Sequence, residues 1–243
     1  MVNLTSRIIL ITGGTSGIGR ALVDALTRRG NELVTCGRDP DRLAELSHEL
    51  PDVDVVAADL TRLEDIDRLI RIVEDRHGRL DVLVNNAGVS WNLDLTDPTR
   101  ESRDAATMIV TNLTAPVQLT LKALPLLSRS SQAAIVNVTS IQAVVSKGRS
   151  PVYAATKAGL RAFTLALRQR LADTDIQVFD LMPPLTDTPA ARKIPKKKVD
   201  PAELAEAAIA AIEAGRLDIR VGQNRWVVHL HRMAPRLAQR VIK

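Results

Sequence analysis

Residues 12–19 read Thr12-Gly13-Gly14-Thr15-Ser16-Gly17-Ile18-Gly19, and the expected architecture of the chain starts from this stretch. An apolar run, Arg7–Thr12, ends in it, and a segment with helical apolar spacing, Ile18–Arg29, begins in it. This order predicts a strand, a tight turn and a helix. The glycines allow the backbone to turn sharply and let the helix pack closely on the strand.

The same alternation continues along the chain and predicts six further strands. With the first, they are Arg7–Thr12, Glu32–Cys36, Val53–Ala57, Leu80–Asn85, Ala134–Val138, Gln177–Leu181 and Arg220–Val221. Six intervening helices are predicted. Three have bounds set by apolar spacing: Ile18–Arg29, a long helical region from about Arg100 to Leu127, and Val152–Ala172. Three are predicted from their start signals: one after the cap Asp39-Pro40, one from the capping box Thr61/Glu64 to before Gly78, and one from Asp200-Pro201-Glu203 to Gly215. Seven strands with six interleaved helices predict an α/β fold. Residues 1–243 should form a single doubly wound Rossmann domain, with a seven-stranded parallel sheet flanked by helices.

Composition narrows the class of protein. The 243 residues are 45% apolar and 25% charged, as in ordinary soluble proteins, and the single cysteine, Cys36, excludes an internal disulfide. The first residues lack a secretory pattern, and no apolar stretch reaches the ~20 residues that cross a bilayer. We therefore expect a cytoplasmic protein. The net charge of +5 comes without a nucleic-acid motif, and the four histidines lack ligand-like spacing, so neither nucleic acid nor a metal is expected.

The glycine-rich turn also predicts a phosphate-binding site. A helix that starts directly after such a turn presents free N–H groups and the positive end of its dipole to an anion. The alternative is a glycine-rich turn without a ligand. The residues expected to contact a dinucleotide here are Gly13, Thr15, Ser16, Gly17, Ile18 and Gly19.

The glycine spacing T-G-x-x-x-G-x-G resembles the cofactor turn of the short-chain dehydrogenase/reductase family. Asn85-Asn86-Ala87-Gly88, after the fourth predicted strand, resembles the NNAG motif of that family, which implies sheet support together with cofactor contacts from Asn86, Ala87 and Gly88. The resemblance also implies that Asp59, beside Leu60, accepts a hydrogen bond from the adenine amino group. The alternative is that Asp59 only starts the following helix.

The end of the second predicted strand bears on the choice of cofactor. NAD-binding folds place an acidic residue there for the ribose 2′-hydroxyl, whereas this strand ends Cys36-Gly37-Arg38-Asp39. Gly37 leaves room, and the guanidinium of Arg38 can pair with a 2′-phosphate. Asp39 is explained as a helix cap. The pattern predicts NADP(H) rather than NAD(H), with an ordinary surface arginine as the alternative.

Four residues form the predicted catalytic set. Tyr153 and Lys157 are four apart and therefore share one helix face, where an ammonium can lower the pKa of the phenol. Ser140 follows the fifth strand and would hydrogen-bond the reacting carbonyl oxygen. By family resemblance, Asn112 would hold a water that links Lys157 to solvent. Each residue taken alone also fits a purely structural role, as part of a helix face or as a cap. Taken together, their order and spacing resemble the family pattern.

The segment after the sixth strand departs from that pattern. The family usually has Pro-Gly followed by a threonine, whereas this chain has Pro183-Pro184 and then Thr188, which keeps the position expected to touch the carboxamide. We expect residues 185–199 to form a lid over the substrate. Its basic residues suggest an anionic substrate group, although a solvated surface is the alternative: Arg192, Lys193, Lys196, Lys197 and Lys198. Further pocket candidates are Ser90, Trp91, Asn92, Gln142 and Val144.

The C-terminal tail, residues 226–243, is basic and amphipathic. Its apolar positions recur at helical spacing: Leu230, Met233, Ala234, Leu237 and Val241. It can pack on a sister subunit or lie on an anionic membrane surface. Its ending, with Pro183-Pro184-Leu185 and the Cys36-Gly37-Arg38 strand end, resembles the bacterial DltE-like subgroup of the family.

Together these patterns predict an NADP(H)-dependent carbonyl reductase or alcohol dehydrogenase. It would transfer hydride to or from a small-molecule substrate and assemble as a homodimer or homotetramer. The alternative is a catalytically silent NADP(H)-binding sensor or scaffold. Proteins of that kind usually lose the tyrosine or the lysine, and this chain has both.

Overall fold

The computed structural model describes residues 2–91, 98–146, 148, 150–192, 194–222 and 224–234. The strands in this part of the chain are β1 (Ile8–Thr12), β2 (Glu32–Gly37), β3 (Val53–Ala57), β4 (Val82–Asn85), β5 (Ala133–Val138), β6 (Ile176–Met182) and β7 (Asp218–Arg220). They form one sheet with the order β3-β2-β1-β4-β5-β6-β7, in which every neighbouring pair is parallel. The predicted doubly wound α/β fold is therefore confirmed.

The helices that flank this sheet are α1 (Gly17–Thr27), α2 (Pro40–Glu49), α3 (Leu63–His77), α4 (Pro98–Ile109), α5 (Ala115–Leu127), α6 (Pro151–Arg170), α7 (Pro201–Glu213) and α8 (Asn224–Met233). Local chemistry sets several of their ends. Asp39 accepts hydrogen bonds from the backbone N–H groups of Asp41 and Arg42 and so caps α2, as predicted. Gly78, at φ 68°, ends α3.

One prediction about helices is confirmed with a refinement, and another is wrong. The helical region predicted from about Arg100 to Leu127 forms, and within it a π-helical turn, Val110–Thr114, separates α4 from α5. The capping box of Thr61 and Glu64 does not form, because α3 begins at Leu63. Asp59 Oδ1 instead accepts hydrogen bonds from the N–H of Thr61 at 3.0 Å and from its hydroxyl at 2.9 Å. This local turn engages the threonine before the helix starts.

Both faces of the sheet are covered by helices, which explains why its strands are predominantly apolar rather than strictly alternating. All five residues of β1 are buried. One apolar cluster joins Ile9, Ile11 and Phe179 to residues of α1 and α7, and a second joins Leu10 and Leu83 to residues of α3 and α5.

The sheet order places the functional motifs together. Strand order reverses between β1 and β4, and the carboxyl ends of these two strands lie side by side. Such a switch point is where ligands bind in open parallel sheets. None of the helices in the described ranges combines the length and apolar character needed to cross a bilayer.

Candidate active site

The glycine-rich turn after β1 is shaped to approach a ligand closely. Gly13 and Gly17 have φ angles of 70° and 57°, a region that side chains disfavour. The side chain of the N-cap residue Ser16 makes no capping hydrogen bond to α1. The first N–H groups of this helix therefore remain available for a phosphate.

The same turn leaves no room for side chains at two glycines. A Cβ on Gly14 would overlap Thr35 Oγ1, and a Cβ on Gly19 would overlap the carbonyl oxygen of Gly13 and the amide of Asn86. Gly19 therefore shapes the turn by packing, which matches the role expected of the third glycine in such motifs.

The Asn-Asn-Ala-Gly segment ties β4 to this turn. Asn86 Nδ2 donates to the carbonyl oxygen of Thr12 at 2.9 Å, and the hydroxyl of Thr12 accepts from the N–H groups of Asn86 and Ala87. Asn85 Nδ2 donates to Asn137 Oδ1 on β5 at 2.8 Å. These bonds cross three strands and give the motif the sheet-supporting role that was predicted.

A cleft of about 500 Å³ runs along the carboxyl ends of the strands. The predicted cofactor residues that line it are Gly13, Thr15, Ser16, Gly17, Ile18, Arg38, Asp59, Leu60, Asn86, Ala87, Gly88, Tyr153, Lys157, Pro183 and Thr188. Lining residues that were not predicted include Arg42, Thr111, Val138 and Thr139. Arg42 could have been found from its place one helical turn after Arg38, and Thr139 from its place directly before Ser140.

One end of the cleft carries the residues that bear on cofactor choice. Gly37 is packed against Thr15, because a Cβ here would lie 2.9 Å from Thr15 Cγ2. Arg38 is exposed at this end, and Arg42 pairs with Asp39 at 3.3 Å. Asp39 is thus occupied by its cap and by this arginine.

At the other end of the cleft, α6 presents Tyr153 and Lys157. Lys157 Nζ lies 5.9 Å from the centroid of the Tyr153 ring and donates a hydrogen bond to the carbonyl oxygen of Val138 at 2.8 Å. The lysine is 4% exposed, and burial lowers its pKa to about 8.

Ser140 lies at the end of β5 and meets Tyr153. Burial raises the pKa of Tyr153, and a hydrogen bond with Ser140 lowers it, with burial the larger effect. In the protein alone, burial thus outweighs the lowering of this pKa that was expected from a nearby ammonium and from the nicotinium ring. A protonated phenol is the form that can donate a proton.

Asn112 lies in the π-helical turn between α4 and α5, and its side chain is fully buried. Its Oδ1 accepts from the N–H of Val89 and its Nδ2 donates to the carbonyl oxygen of Val89, each at 2.8 Å. Nδ2 also donates to Thr156 Oγ1 at 3.3 Å. The amide thus holds the segment after the Asn-Asn-Ala-Gly motif against α6, a task that the sequence did not predict.

Gly88 explains why this segment can approach α6. A Cβ on Gly88 would lie 3.2 Å from Asn112 Oδ1 and 3.5 Å from Lys157 Nζ. Asn112 and Lys157 therefore face the same small space beside Gly88, where a side chain would be in tight contact with Asn112.

The segment 185–199, which was predicted to form a lid, has its two ends joined by backbone hydrogen bonds. Thr186 and Val199 form a bridge, and the N–H groups of Val199 and Asp187 donate to Leu185 and Val199 at 2.9 Å. Lys198 Nζ pairs with Asp187 at 3.1 Å. Lys198 is thus part of the structure of this segment, and its charge is balanced by Asp187.

The predicted pocket residue Gln142 lies in the 3₁₀ turn Ile141–Ala143. Val227 and Leu230 of α8 pack with Ile141 and Val144 around Val145. This part of the tail therefore covers its own chain. On its outer side Trp226 and Met233 are each 78% exposed. Ser90 and Trp91 are exposed near the cleft, whereas Asn92, Lys193 and residues 235–243 lie outside the described residues.

Comparisons with known proteins identify the family of the chain. The model of the short chain dehydrogenase family matches residues 7–199. An uncharacterized oxidoreductase of Bacillus subtilis (strain 168), DltE, is 38% identical over 187 residues, which are 77% of this chain and 74% of that protein.

Solved structures share the fold. The RhlG/NADP active-site complex of Pseudomonas aeruginosa has a TM-score of 0.82 and 27% identity, covering 90% of this chain and 96% of that one. A short-chain dehydrogenase/reductase of Burkholderia phymatum in complex with NAD has a TM-score of 0.88 over 98% of this chain and 96% of that one, and its 20% identity supports the fold alone. With the family model matching most of its length, this chain belongs to the short-chain dehydrogenase family of oxidoreductases.

Proposed function

We propose that this protein is an NADP(H)-dependent carbonyl reductase or alcohol dehydrogenase that acts on a small carbonyl or hydroxyl compound. The observation that carries the proposal is that Tyr153, which is hydrogen-bonded to Ser140, lines one end of a cleft together with Lys157, while the glycine-rich turn and Arg38 line the other end.

The cleft suits a nicotinamide dinucleotide, which supplies or accepts the hydride when it is bound. The N–H groups at the start of α1 would bind the pyrophosphate. Ala87 and Gly88 leave space for a ribose, and Lys157 would hold the ribose hydroxyls next to the nicotinamide. Thr188, with Pro183 beside it, would contact the carboxamide. Thr188 already lies over Gly17, because a Cβ on that glycine would come within 2.9 Å of Thr188 Cγ2.

Side chains of the protein transfer the proton that accompanies the hydride. Tyr153 donates its proton to the carbonyl oxygen during reduction, and Ser140 hydrogen-bonds the same oxygen and stabilises its developing charge. The buried ammonium of Lys157 stabilises the phenolate that remains. Because the amide of Asn112 is bonded to Val89 and Thr156, we propose that its backbone, rather than its side chain, holds the relay water.

Replacing Gly19 with alanine tests the shape of the phosphate-binding turn. The new Cβ would overlap the carbonyl oxygen of Gly13, and such overpacking costs about 1–3 kcal/mol. We expect the Kd for NADPH, measured by fluorescence titration, to rise about tenfold or more. Gly148→Ala is the matched control, because its Cβ would meet nothing within 4 Å. Equal Kd values for the two variants would contradict this role of the turn.

Replacing Arg38 with alanine tests the NADP(H) preference. A hydrogen bond to a charged group contributes about 1.5–3 kcal/mol, so the ratio of kcat/KM for NADPH to that for NADH should fall about 10- to 100-fold. Arg71→Ala, an exposed arginine on α3, should leave the ratio unchanged. A ratio that survives Arg38→Ala would show that another group selects the cofactor.

The function itself is tested by following NADPH absorbance against aldehydes, ketones, 3-oxo acids and quinones. Turnover that is lost in Tyr153→Phe would establish the reductase. Tight NADPH binding without turnover, together with an unreactive Tyr153→Phe, would favour the sensor or scaffold instead.

We further propose a homodimer or homotetramer in the cytoplasm. Trp226 and Met233, seven residues apart, share one face of α8, and both are exposed. An exposed apolar face of this kind supports a contact with a sister subunit. Sedimentation at several protein concentrations, with liposome flotation for the membrane alternative, tests this assignment.

A further inference from the structure

A carboxylate is buried directly behind the catalytic residues. Asp180 lies on β6 and is fully buried. The hydroxyl of Thr139 donates a hydrogen bond to Asp180 Oδ1. Thr139 is the residue directly before Ser140, and its N–H donates to the carbonyl oxygen of Leu181 at 2.8 Å. The end of β5 that carries Ser140 is thus tied to β6 twice.

Two arginines balance this carboxylate. Arg161 Nε lies 3.3 Å from Asp180 Oδ2, and Arg220 Nη1 on β7 lies 3.8 Å from the same oxygen. Arg161 comes four residues after Lys157 and eight after Tyr153, so the three side chains share one face of α6. The carboxylate therefore joins the helix that carries the tyrosine and lysine to the strand end that carries the serine.

Stability alone gives little reason for this arrangement. Taking a carboxylate and its arginines out of water is costly, and well-packed apolar side chains often stabilise a protein as much or more. The ionic cluster instead fixes a side-chain orientation. Because the carboxylate is held in place by its arginines, its hydrogen bond fixes the orientation of the Thr139 side chain.

We infer that Asp180 and Thr139 are a pair of positioning residues that hold Ser140 against Tyr153. The inference deepens the proposed function and rests on it for its consequence in turnover. The contact being positioned is the hydrogen bond between Ser140 and Tyr153, which lowers the pKa of the phenol. A displaced Ser140 would weaken that bond, so the pKa of Tyr153 would rise.

The composition of the chain makes this measurable without any substrate. Tyr153 is the single tyrosine among the 243 residues, so the near-ultraviolet absorbance of the phenolate reports this side chain alone. Tyr153→Phe confirms the assignment by abolishing the signal. Circular dichroism at each pH shows that the protein remains folded during the titration.

Thr139→Val removes the hydroxyl and keeps the shape of the side chain. We expect its tyrosine titration to move to higher pH than in the wild type, and Thr139→Ser to restore the wild-type midpoint. In turnover, kcat should fall about tenfold with the KM for NADPH unchanged, as for loss of one well-placed hydrogen bond.

Thr35→Val is the matched control for a merely structural role. Thr35 is also fully buried, and its hydroxyl donates to the carbonyl oxygen of Ile11 at 2.7 Å, so that it joins β2 to β1 rather than to β5 or β6. This variant should lose thermal stability without moving the titration. Thr139→Val with a wild-type midpoint and an unchanged kcat would overturn the inference. A shifted midpoint in a protein that turns over no carbonyl compound would uphold the positioning pair and reject the proposed function.

Discussion

Tyr153→Phe is expected to lower kcat for carbonyl reduction by about 10²–10⁴-fold, the contribution usual for a positioned general acid. The substitution removes only the hydroxyl that meets Ser140, and the ring stays beside Lys157. Binding of NADPH should therefore be unchanged. Single-turnover absorbance of NADPH together with a fluorescence Kd separates the two effects.

Ser140→Ala gives the comparison for this result. Because Ser140 stabilises charge but does not supply the proton, its removal should reduce kcat by less than the loss of the tyrosine hydroxyl. A Tyr153→Phe variant that retained more activity than Ser140→Ala would show that the proton comes from another group, and the mechanism above would be wrong.

Lys157→Met is expected to abolish turnover and, at neutral pH, to raise the Tm. Burial lowers the pKa of Lys157 from 10.5 to about 8, so the folded protein holds the ammonium less favourably than the unfolded chain does. That difference corresponds to about 3 kcal/mol of lost stability. Methionine removes this cost and loses one hydrogen bond from a charged group, to Val138, that contributes about 1.5–3 kcal/mol, so the expected net gain in stability is small.

The pH dependence gives this prediction its sign. Below pH 8 the lysine is protonated in both the folded and the unfolded protein, so the cost of its burial is fully present. As the pH rises from about 8 to 10.5, the folded protein releases the proton first and the cost disappears. The advantage of the methionine variant in Tm should therefore shrink over this range.

Lys197→Met is the control for the loss of one positive charge, because Lys197 is exposed in the segment 185–199. Its Tm should follow that of the wild type at every pH. The contrary result is a Lys157→Met variant that unfolds at a lower temperature than the wild type at pH 7, and by the same margin at high pH. That result would show that burial of the ammonium does not destabilise the wild-type protein.

The arrangement of elements and most site residues could be predicted from sequence because the signals are local. The run Thr12–Gly19 specifies a strand, a turn and a helix within a few residues, and Asp39 with Pro40 specifies the start of α2 in the same way. Residues four apart on a helix share a face whatever surrounds them, so Tyr153 and Lys157 were paired correctly without coordinates.

Other features depend on contacts that apolar spacing does not reveal. The period of apolar residues is continuous through α4 and α5, yet the chain forms a π-helical turn where the amide of Asn112 bonds Val89, 23 residues earlier. Thr61 looked like a cap and instead bonds Asp59. Lys198 looked free to meet a substrate and instead pairs with Asp187.

The sequence by itself therefore determined the layer architecture, the glycine-rich turn and which side chains are candidates for catalysis, because each depends on neighbours within one or two helical turns. Only the tertiary structure decided the electrostatic setting of those side chains. Asp180 contacts Thr139, which is 41 residues away in the sequence, and Arg220 on the neighbouring strand. The surrounding core excludes water from Lys157. Desolvation and long-range pairing are properties of the packed chain, since they arise only when distant segments exclude water together.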